Sequence, residues 1–287
     1  ESEDNTRQII RDFINKNPNL KIRVVTNKKR VTPAAYNVAV KNSTGEYIMT
    51  SGAHSQISPN YVSGCVNVLE SDSAVDCVGG AVETLPSADT TVARAIALSL
   101  SHPFGTGNAK FRNKLGNKVL VDTVYHGCYR RDVFNRVGYY NEKLLRSQDL
   151  DLNLRIIKSG GKVLLDPSLR IKYYPKGNFR DIAKYHFRCG LWVTRAARIT
   201  KKSYKARHYL PLIAFSFGLL LLLSSVISIY SLWALAILAS FYSILSLCFS
   251  LKIAITEKEI RLVFYLPLAF FLRHFLFGFG SLVGFFK

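Results

Sequence analysis

The sequence predicts an α/β fold with a mostly parallel sheet, followed by an α-helical membrane region. Three observations carry that prediction. From Asn5 to Tyr174 short β-branched segments alternate with helical stretches, the pattern that places helices on the faces of a parallel sheet. Tyr209 to Tyr230 and Ser231 to Leu251 contain no charged residue, and each is about long enough to cross a hydrocarbon core of roughly 30 Å. Between these regions, Gly161 to Lys205 carries twelve Lys/Arg against Asp166 and Asp181. The expected organisation is an α/β domain over 1–177, an amphipathic interfacial helix and basic linker over 178–207, and two to three transmembrane helices over 208–287.

Each element has a local reason. The chain reads as beginning inside a fold, with an amphipathic helix from Asn5 to Lys16 that places Ile9, Ile10, Phe13 and Ile14 on one face. A strand is expected at Ile22–Thr26, then a helix started by Thr32 and Pro33 and reaching about Lys41. Glu46–Thr50 reads as a strand ending in a loop at 51–55, and loops beyond strand ends are where sites lie in such sheets. Ser58-Pro59 opens a helix to about Glu70, Val75–Val82 is extended, and Thr90–Leu100 is helical. The Gly-rich stretch from His102 to Asn108 reads first as a flexible connection. Val119–Val124 is expected as a strand, followed by His126-Gly127-Cys128-Tyr129-Arg130-Arg131 and then a helix to about Val137. A helix over 147–159 precedes strands at 162–165 and 170–174. Asn178–Ile199 interleaves Ile182, Tyr185, Phe187, Leu191 and Trp192 with Arg and Lys, the mark of a helix in the membrane interface. Leu262–Phe286 is a third apolar run, interrupted by Arg273-His274. That pair is expensive in lipid, so it is either a site or a sign that this segment lies partly in the interface.

The formal charge of +20 is explained mainly by the basic block beside the first apolar run. Such a block marks the cytoplasmic side and attracts anionic lipid. No zinc-finger, RNA-recognition or helix-turn-helix pattern accompanies it, which argues against nucleic acid as the partner. The five cysteines are scattered without a CxxC pair; they form neither a metal site nor a disulfide framework, in keeping with a reducing compartment.

The richest stretch is Arg146-Ser147-Gln148-Asp149-Leu150-Asp151. Ser147 can cap the helix that follows, and Asp149 and Asp151 fall in its first turn, where the dipole favours negative charge. Two readings stand: the carboxylates cap the helix, or Asp149 is a general base that takes a proton from a substrate hydroxyl. Asp151 points to a different helix face from Asp149 and reads as a structural partner.

Several ordered motifs resemble those of family 2 glycosyltransferases, in the membrane-anchored, succinoglycan-type branch. They are Ser2-Glu3-Asp4-Asn5-Thr6, Pro33-Ala34-Ala35-Tyr36-Asn37, Ala53-His54, Pro103-Phe104-Gly105-x-Gly107-Asn108, Val121-Asp122-Thr123-Val124, Gln148-Asp149 and Phe187-Arg188-x-Gly190-x-Trp192. The resemblance implies a GT-A fold and inverting transfer of a sugar from a nucleotide-sugar, expected to be a UDP-sugar. The acceptor would be a hydroxyl of a lipid-linked or polysaccharide substrate at the cytoplasmic face of the cell's inner membrane, reached by a multi-pass protein. It implies Asp149 as catalytic base. It assigns Asp4, Lys29, Arg30, Pro33, Asn37, Gly52, Ala53 and His54 to the donor side. His126, Gly127, Gln148, Asp151, Arg188 and Trp192 fall to the acceptor or diphosphate side, where Arg188 and Trp192 read equally as a snorkelling Arg and an interfacial anchor.

Two departures qualify the resemblance. The family's first strand and its base-holding Asp would precede Glu1, so that half-site is expected to be missing. Gly52 stands where relatives carry a metal- and ribose-binding Asp, which leaves His54 as the candidate ligand for Mg²⁺ or Mn²⁺ and equally as a hydrogen-bonded loop histidine. Alternatives are a polyprenyl-phosphate glycosyltransferase and, because of Gly52, an inactive membrane scaffold of the same fold.

Overall fold

A computed structural model of the chain describes residues 4–52, 55–107, 116–201 and 206–287. Helix α1 (Thr6–Lys16) leads through an extended segment to α2 (Thr32–Lys41), β1 (Tyr47–Met49), β2 (Ser55–Ile57), α3 (Tyr61–Ser71) and β3 (Val75–Thr84). Then follow α4 (Thr91–Ser101), α5 (Pro103–Thr106), β4 (Val119–Leu120), β5 (Tyr125–Arg130), α6 (Asp132–Arg136), α7 (Gln148–Lys158) and β6 (Lys162–Tyr173). The C-terminal helices are α8 (Phe179–Thr200), α9 (Leu210–Ser224), α10 (Ile229–Thr256) and α11 (Leu262–Phe286).

The strands form one sheet in the order β1-β5-β3-β6-β2, with β4 also on β6. Its longest ladder, β3 on β6, is parallel, and this is where the expected parallel order resides. The shorter ladders β1–β5, β3–β5, β2–β6 and β4–β6 are antiparallel. One face packs under α2, α6 and α7 through Val40, Val133, Phe134, Leu152 and Ile156. The other packs under α3 through Tyr61, Cys65, Val68 and Leu69.

Several local expectations change. Ile22–Thr26 has no strand assignment. It pairs with no strand among the described residues, and Val24 is 60 % exposed; β-branched composition makes no strand without a ladder partner. The apolar face of α1 is likewise uncovered, with Ile9 and Phe13 exposed. The strand expected at 119–124 is confined to 119–120, and 125–130, to which no element is assigned from sequence, is a central strand. The two strands at 162–165 and 170–174 are one, kinked where Asp166 is followed in the ladder by Arg170. Asp166 Oδ1 holds that bulge by accepting from Ser168 N at 2.9 Å and from Ser168 Oγ at 2.6 Å. The Gly-rich connection contains a short helix, α5, capped by His102.

The first two apolar runs divide at 225–228 rather than near 230, giving a 15-residue α9 and a 28-residue α10. Helices α10 and α11 are long and apolar enough to cross a membrane. At about 1.5 Å per residue α9 spans roughly 22 Å, short of a hydrocarbon core by itself. Helix α11 lies beside α8 along its length and in the same direction. Phe179 stacks on Tyr265, Thr194 Oγ1 donates to the Ser281 carbonyl at 2.8 Å, and Arg198 donates to the Phe285 carbonyl at 2.8 Å. A Cβ at Gly190 would fall on the Phe277 carbonyl, one at Gly280 on the Phe187 carbonyl, and one at Gly284 on the Leu191 carbonyl. The absent side chains let the two backbones touch, as small residues do between membrane helices.

Candidate active site

Asp149 occupies the first turn of α7, half-buried, and burial pushes its carboxyl above the usual carboxylate range. The amides of Leu150 and of Asp149 itself oppose that shift, as unsatisfied N–H groups at a helix start favour an anion. The expected Ser147 cap is absent. Ser147 sits at the N-cap position with φ 61 and makes no side-chain cap bond, because a left-handed backbone turns the hydroxyl away from the amides a capping side chain reaches. The anionic function of that helix start therefore falls to Asp149. Gln148 Oε1 beside it is buried without a hydrogen-bond partner among the described residues.

Aromatic rings wall the carboxylate. Tyr36, Tyr129 and Tyr140 all have raised pKa values, each chiefly through burial and additionally through the charge of Asp149. Tyr36 and Tyr140 lie with ring centroids 5.2 Å apart. Asn37 fixes that wall: Tyr140 N donates to its Oδ1 at 2.9 Å, and its Nδ2 donates to Tyr140 O at 2.9 Å and to Glu142 Oε1 at 3.0 Å. Lys29 completes the cluster on Glu142 at 2.5 Å. Pro33 is buried at the start of α2, and Arg30 precedes it with φ 52. Asp4 lies apart, exposed, accepting from Thr6 N at 3.1 Å at the start of α1; those Thr6 hydrogen bonds lower its pKa.

From Tyr140 the site continues along the end of β1. The Tyr140 hydroxyl faces Thr50 and Tyr129 without a well-formed hydrogen bond. The Thr50 backbone also acts on His126, whose pKa is lowered by burial against that opposing contact. His126 is 7 % exposed and has φ 51, a backbone conformation uncommon outside glycine. Its Nε2 lies 2.6 Å from Ser55 Oγ, and Ser55 Oγ donates to the Gly52 carbonyl at 2.9 Å. With the hydroxyl proton committed to Gly52, the imidazole is the donor, so His126 clamps the loop after β1 as a neutral ring. Tyr61 supports it, donating to the His126 carbonyl at 3.0 Å and accepting from Gly80 N at 2.9 Å. Gly127 is buried in β5, where a Cβ would meet the Tyr129 hydroxyl and Cys77 sulfur. Ala53 and His54 lie outside the described residues.

The structure thus joins Asp149, Asn37, His126, Gly127 and Gly52 around the C-terminal end of β1, and separates others from them. Asp151 is 2 % exposed and turned to Arg155. On α8, Arg188 is exposed and Trp192 half-buried, with the Arg195 guanidinium 5.0 Å from the Trp192 ring. Arg146 links the site to α8: its guanidinium lies 4.9 Å from the Tyr185 ring and donates to Cys189 Sγ at 3.3 Å. Sequence reasoning gave no role to Thr50, Tyr61 and Tyr140; Tyr36 and Arg146 stood within the quoted motifs and Ser55 within the 51–55 loop, without a role of their own.

The described residues contain no cluster of three or more His, Cys, Asp or Glu suited to a metal, and Gly52 contributes no carboxylate.

The half-buried carboxylate of Asp149 at a helix start is the candidate centre of this site, and the comparisons bear on the family and the fold. Residues 1–138 match glycosyl transferase family 2. A dolichyl N-acetyl-alpha-D-glucosaminyl phosphate 3-beta-D-2,3-diacetamido-2,3-dideoxy-beta-D-glucuronosyltransferase of Methanococcus voltae is 24 % identical over 291 residues, 100 % of this chain and 85 % of that protein. The succinoglycan biosynthesis protein ExoA of Rhizobium meliloti (strain 1021) is 26 % identical over 194 residues, 66 % of this chain and 56 % of that protein. Among solved structures, the mannosyltransferase PcManGT from Pyrobaculum calidifontis, in complex with GDP-Man and Mn²⁺, aligns with a TM-score of 0.59 at 16 % identity. That alignment covers 99 % of this chain and 75 % of that one, and it speaks for the fold. Residues 1–138 thus carry the family 2 match, and the chain is a glycosyltransferase with two helices long and apolar enough to cross a membrane.

Proposed function

We propose that this enzyme is an inverting transferase that moves a sugar from a nucleotide-sugar, a UDP-sugar by expectation, to a hydroxyl of a lipid-linked saccharide. The observation that carries this reading is Asp149, a desolvated carboxylate at the start of α7, walled by Tyr36, Tyr129 and Tyr140. Its ionised form takes the acceptor proton as the acceptor oxygen bonds to the anomeric carbon. The bond from that carbon to the diphosphate breaks on the opposite face, and the nucleoside diphosphate leaves. A carboxylate with a raised pKa is the stronger base for this step. Tyr36 and Tyr140 exclude water around it, and His126 and Ser55 hold the donor-side loop in place. The lipid-linked acceptor is favoured over free polyprenyl phosphate by the relative from Methanococcus voltae, whose name specifies a sugar already on a lipid phosphate.

A divalent cation, Mg²⁺ or Mn²⁺, would be held mainly by the donor diphosphate with His54 as the protein ligand, and would offset the charge of the leaving group. Residues 1–177 would face the cytoplasm. The α9–α10 hairpin would enter the inner membrane, and α8 and α11 would lie side by side at its anionic surface, Arg188 and Trp192 among the contacts. The test is incubation of membranes containing the full-length protein with a panel of nucleotide-sugars. Release of nucleoside diphosphate coupled to a sugar-bearing, organic-extractable product supports the reading. Release of diphosphate without such a product rejects the lipid-linked acceptor.

A further inference from the structure

Asp149 does not stand alone on its face of α7. Residues 149, 152, 153 and 156 fall at i, i+3, i+4 and i+7, which makes them one stripe of the helix. Leu152 and Ile156 are fully buried in the cluster that packs α7 on the sheet, and Asn153 between them is 0 % exposed. A buried carboxamide is costly unless its polar atoms are paired. Asn153 Nδ2 donates to Thr123 Oγ1 at 3.3 Å, while its Oδ1 has no hydrogen-bond partner among the described residues. Thr123 belongs to the segment between β4 and β5, where Asp122 is also buried.

Side chains four apart on a helix have Cβ atoms about 5–6 Å apart, and the later one leans back toward the earlier. The open Asn153 carbonyl is therefore placed one turn beneath Asp149, on the side that faces the sheet. An oxygen there repels a carboxylate and attracts the O–H of a carboxylic acid. The groups that feel the Asp149 charge from other elements are Tyr36 of α2, Cys77 of β3, Tyr129 of β5 and Tyr140 before α7, and burial raises the pKa of each. All four stay neutral, so they give Asp149 no counter-charge. The unpaired Tyr140 hydroxyl is turned to Thr50 and Tyr129.

We propose that Asn153 is a positioning residue for the base. The proton of the acceptor hydroxyl passes to Asp149, and the O–H so formed donates to the Asn153 carbonyl; Asn153 itself gains no proton. The inference rests on Asp149 as the base, proposed above, and adds the partner that holds the base once it carries the proton. That hydrogen bond stabilises the acid form, and Thr123 keeps the carboxamide turned the right way for it.

The experiment follows Asp149 itself. Carbon-13 spectra of aspartate-labelled, full-length protein in detergent are titrated with pH, and the Asp149 signal is identified by its loss in Asp149→Asn. Asn153→Ala removes the acceptor. Thr123→Val leaves Asn153 in place and frees its carboxamide to turn an N–H to the carboxylate. Each should lower the Asp149 midpoint by about one pH unit. The acid limb of turnover should move with it while donor affinity stays unchanged. If Asn153→Ala does not fold, Thr123→Val carries the test. Lost turnover with an unmoved midpoint would make the side chain purely structural and overturn the proposal, and so would a raised midpoint. Asp149→Asn is scored separately. Turnover that survives it overturns the functional reading, whereas loss of turnover there with an unmoved midpoint in both other variants sinks this inference alone.

Discussion

Arg155 donates to Asp151 at 3.0 Å across one turn of α7, and the same guanidinium holds the carbonyls of Val137 at 2.5 Å, Gly138 at 2.9 Å and Tyr139 at 2.8 Å. The second carboxylate of the motif therefore braces the loop that delivers Tyr140 to the site. Asp151→Asn should cost about 2 kcal/mol of stability, because it leaves a largely buried guanidinium without its counter-charge. Chemical denaturation measures that cost. Turnover of the folded variant should fall far less than in Asp149→Asn; equal losses would mean that Asp151 takes part in the chemistry.

Asp149→Asn keeps the shape and removes the base. Transfer should drop on the order of 10²–10⁴-fold with donor affinity retained. The raised pKa predicts an acid limb of the rate profile above the ordinary carboxylate range. The sign for stability is the reverse of the usual case. A carboxyl whose folded pKa exceeds its unfolded value of 3.8 costs stability as pH rises through that interval, and the cost persists above it. Asp149→Asn should consequently raise Tm at neutral pH. A variant that is both active and less stable contradicts the assignment on two counts.

The loop after β1 makes a test of metal use practical. Gly52 has no left-handed φ, and a Cβ there meets nothing within 4 Å, so Gly52→Asp is sterically open. The added carboxylate should lower the Mg²⁺ or Mn²⁺ concentration needed for donor binding by about tenfold, and His54→Ala should raise it. Calorimetric titration of the donor with and without EDTA reads both. Donor binding indifferent to divalent ions in all three proteins would move leaving-group stabilisation to Arg and Lys.

Much of this was legible in the sequence, and the remainder has physical reasons. The helix carrying Asp149 announced itself because its apolar period and its acidic first turn are local. β5 did not: it is buried on both faces, so it lacks alternation, and its His-Gly-Cys-Tyr composition resembles a loop. Ile22–Thr26 failed the other way, since strand propensity means little without a neighbouring strand. The aromatic wall was invisible because Tyr36 and Tyr140 meet across 104 positions of sequence. Asn37 was picked out by resemblance, yet its partner, the Tyr140 backbone, could come only from the fold.

The seam between α8 and α11 predicts a sharp sequence constraint. Gly280→Leu should destabilise by about 2 kcal/mol or more, since the new side chain meets the Phe187 backbone rather than a flexible chain end. Gly218→Leu, in open space, serves as the control. Thermal unfolding in detergent distinguishes them; equal Tm values would mean that the helices separate there.

Topology follows from charge. The uncharged 225–228 turn should lie across the membrane from Lys252, Lys258 and Lys287. Single cysteines placed at Val226 and Lys258 in a cysteine-free background should react with an impermeant maleimide from opposite faces. Labelling of both from one face would place the hairpin outside the bilayer core.

Leu144 and Leu150, flanking the Asp149 motif, share one buried cluster with Val193 and Ala196 of α8, and Phe277 of α11 packs against it. This packing ties the start of α7 to α8 and α11. With Asp149 as the base and α8 at the lipid surface, as proposed, the reacting atom would sit at a fixed height above the membrane plane. The active site would then act as a ruler, and the reach of the acceptor saccharide from its lipid anchor would become a selectivity filter beside its chemistry.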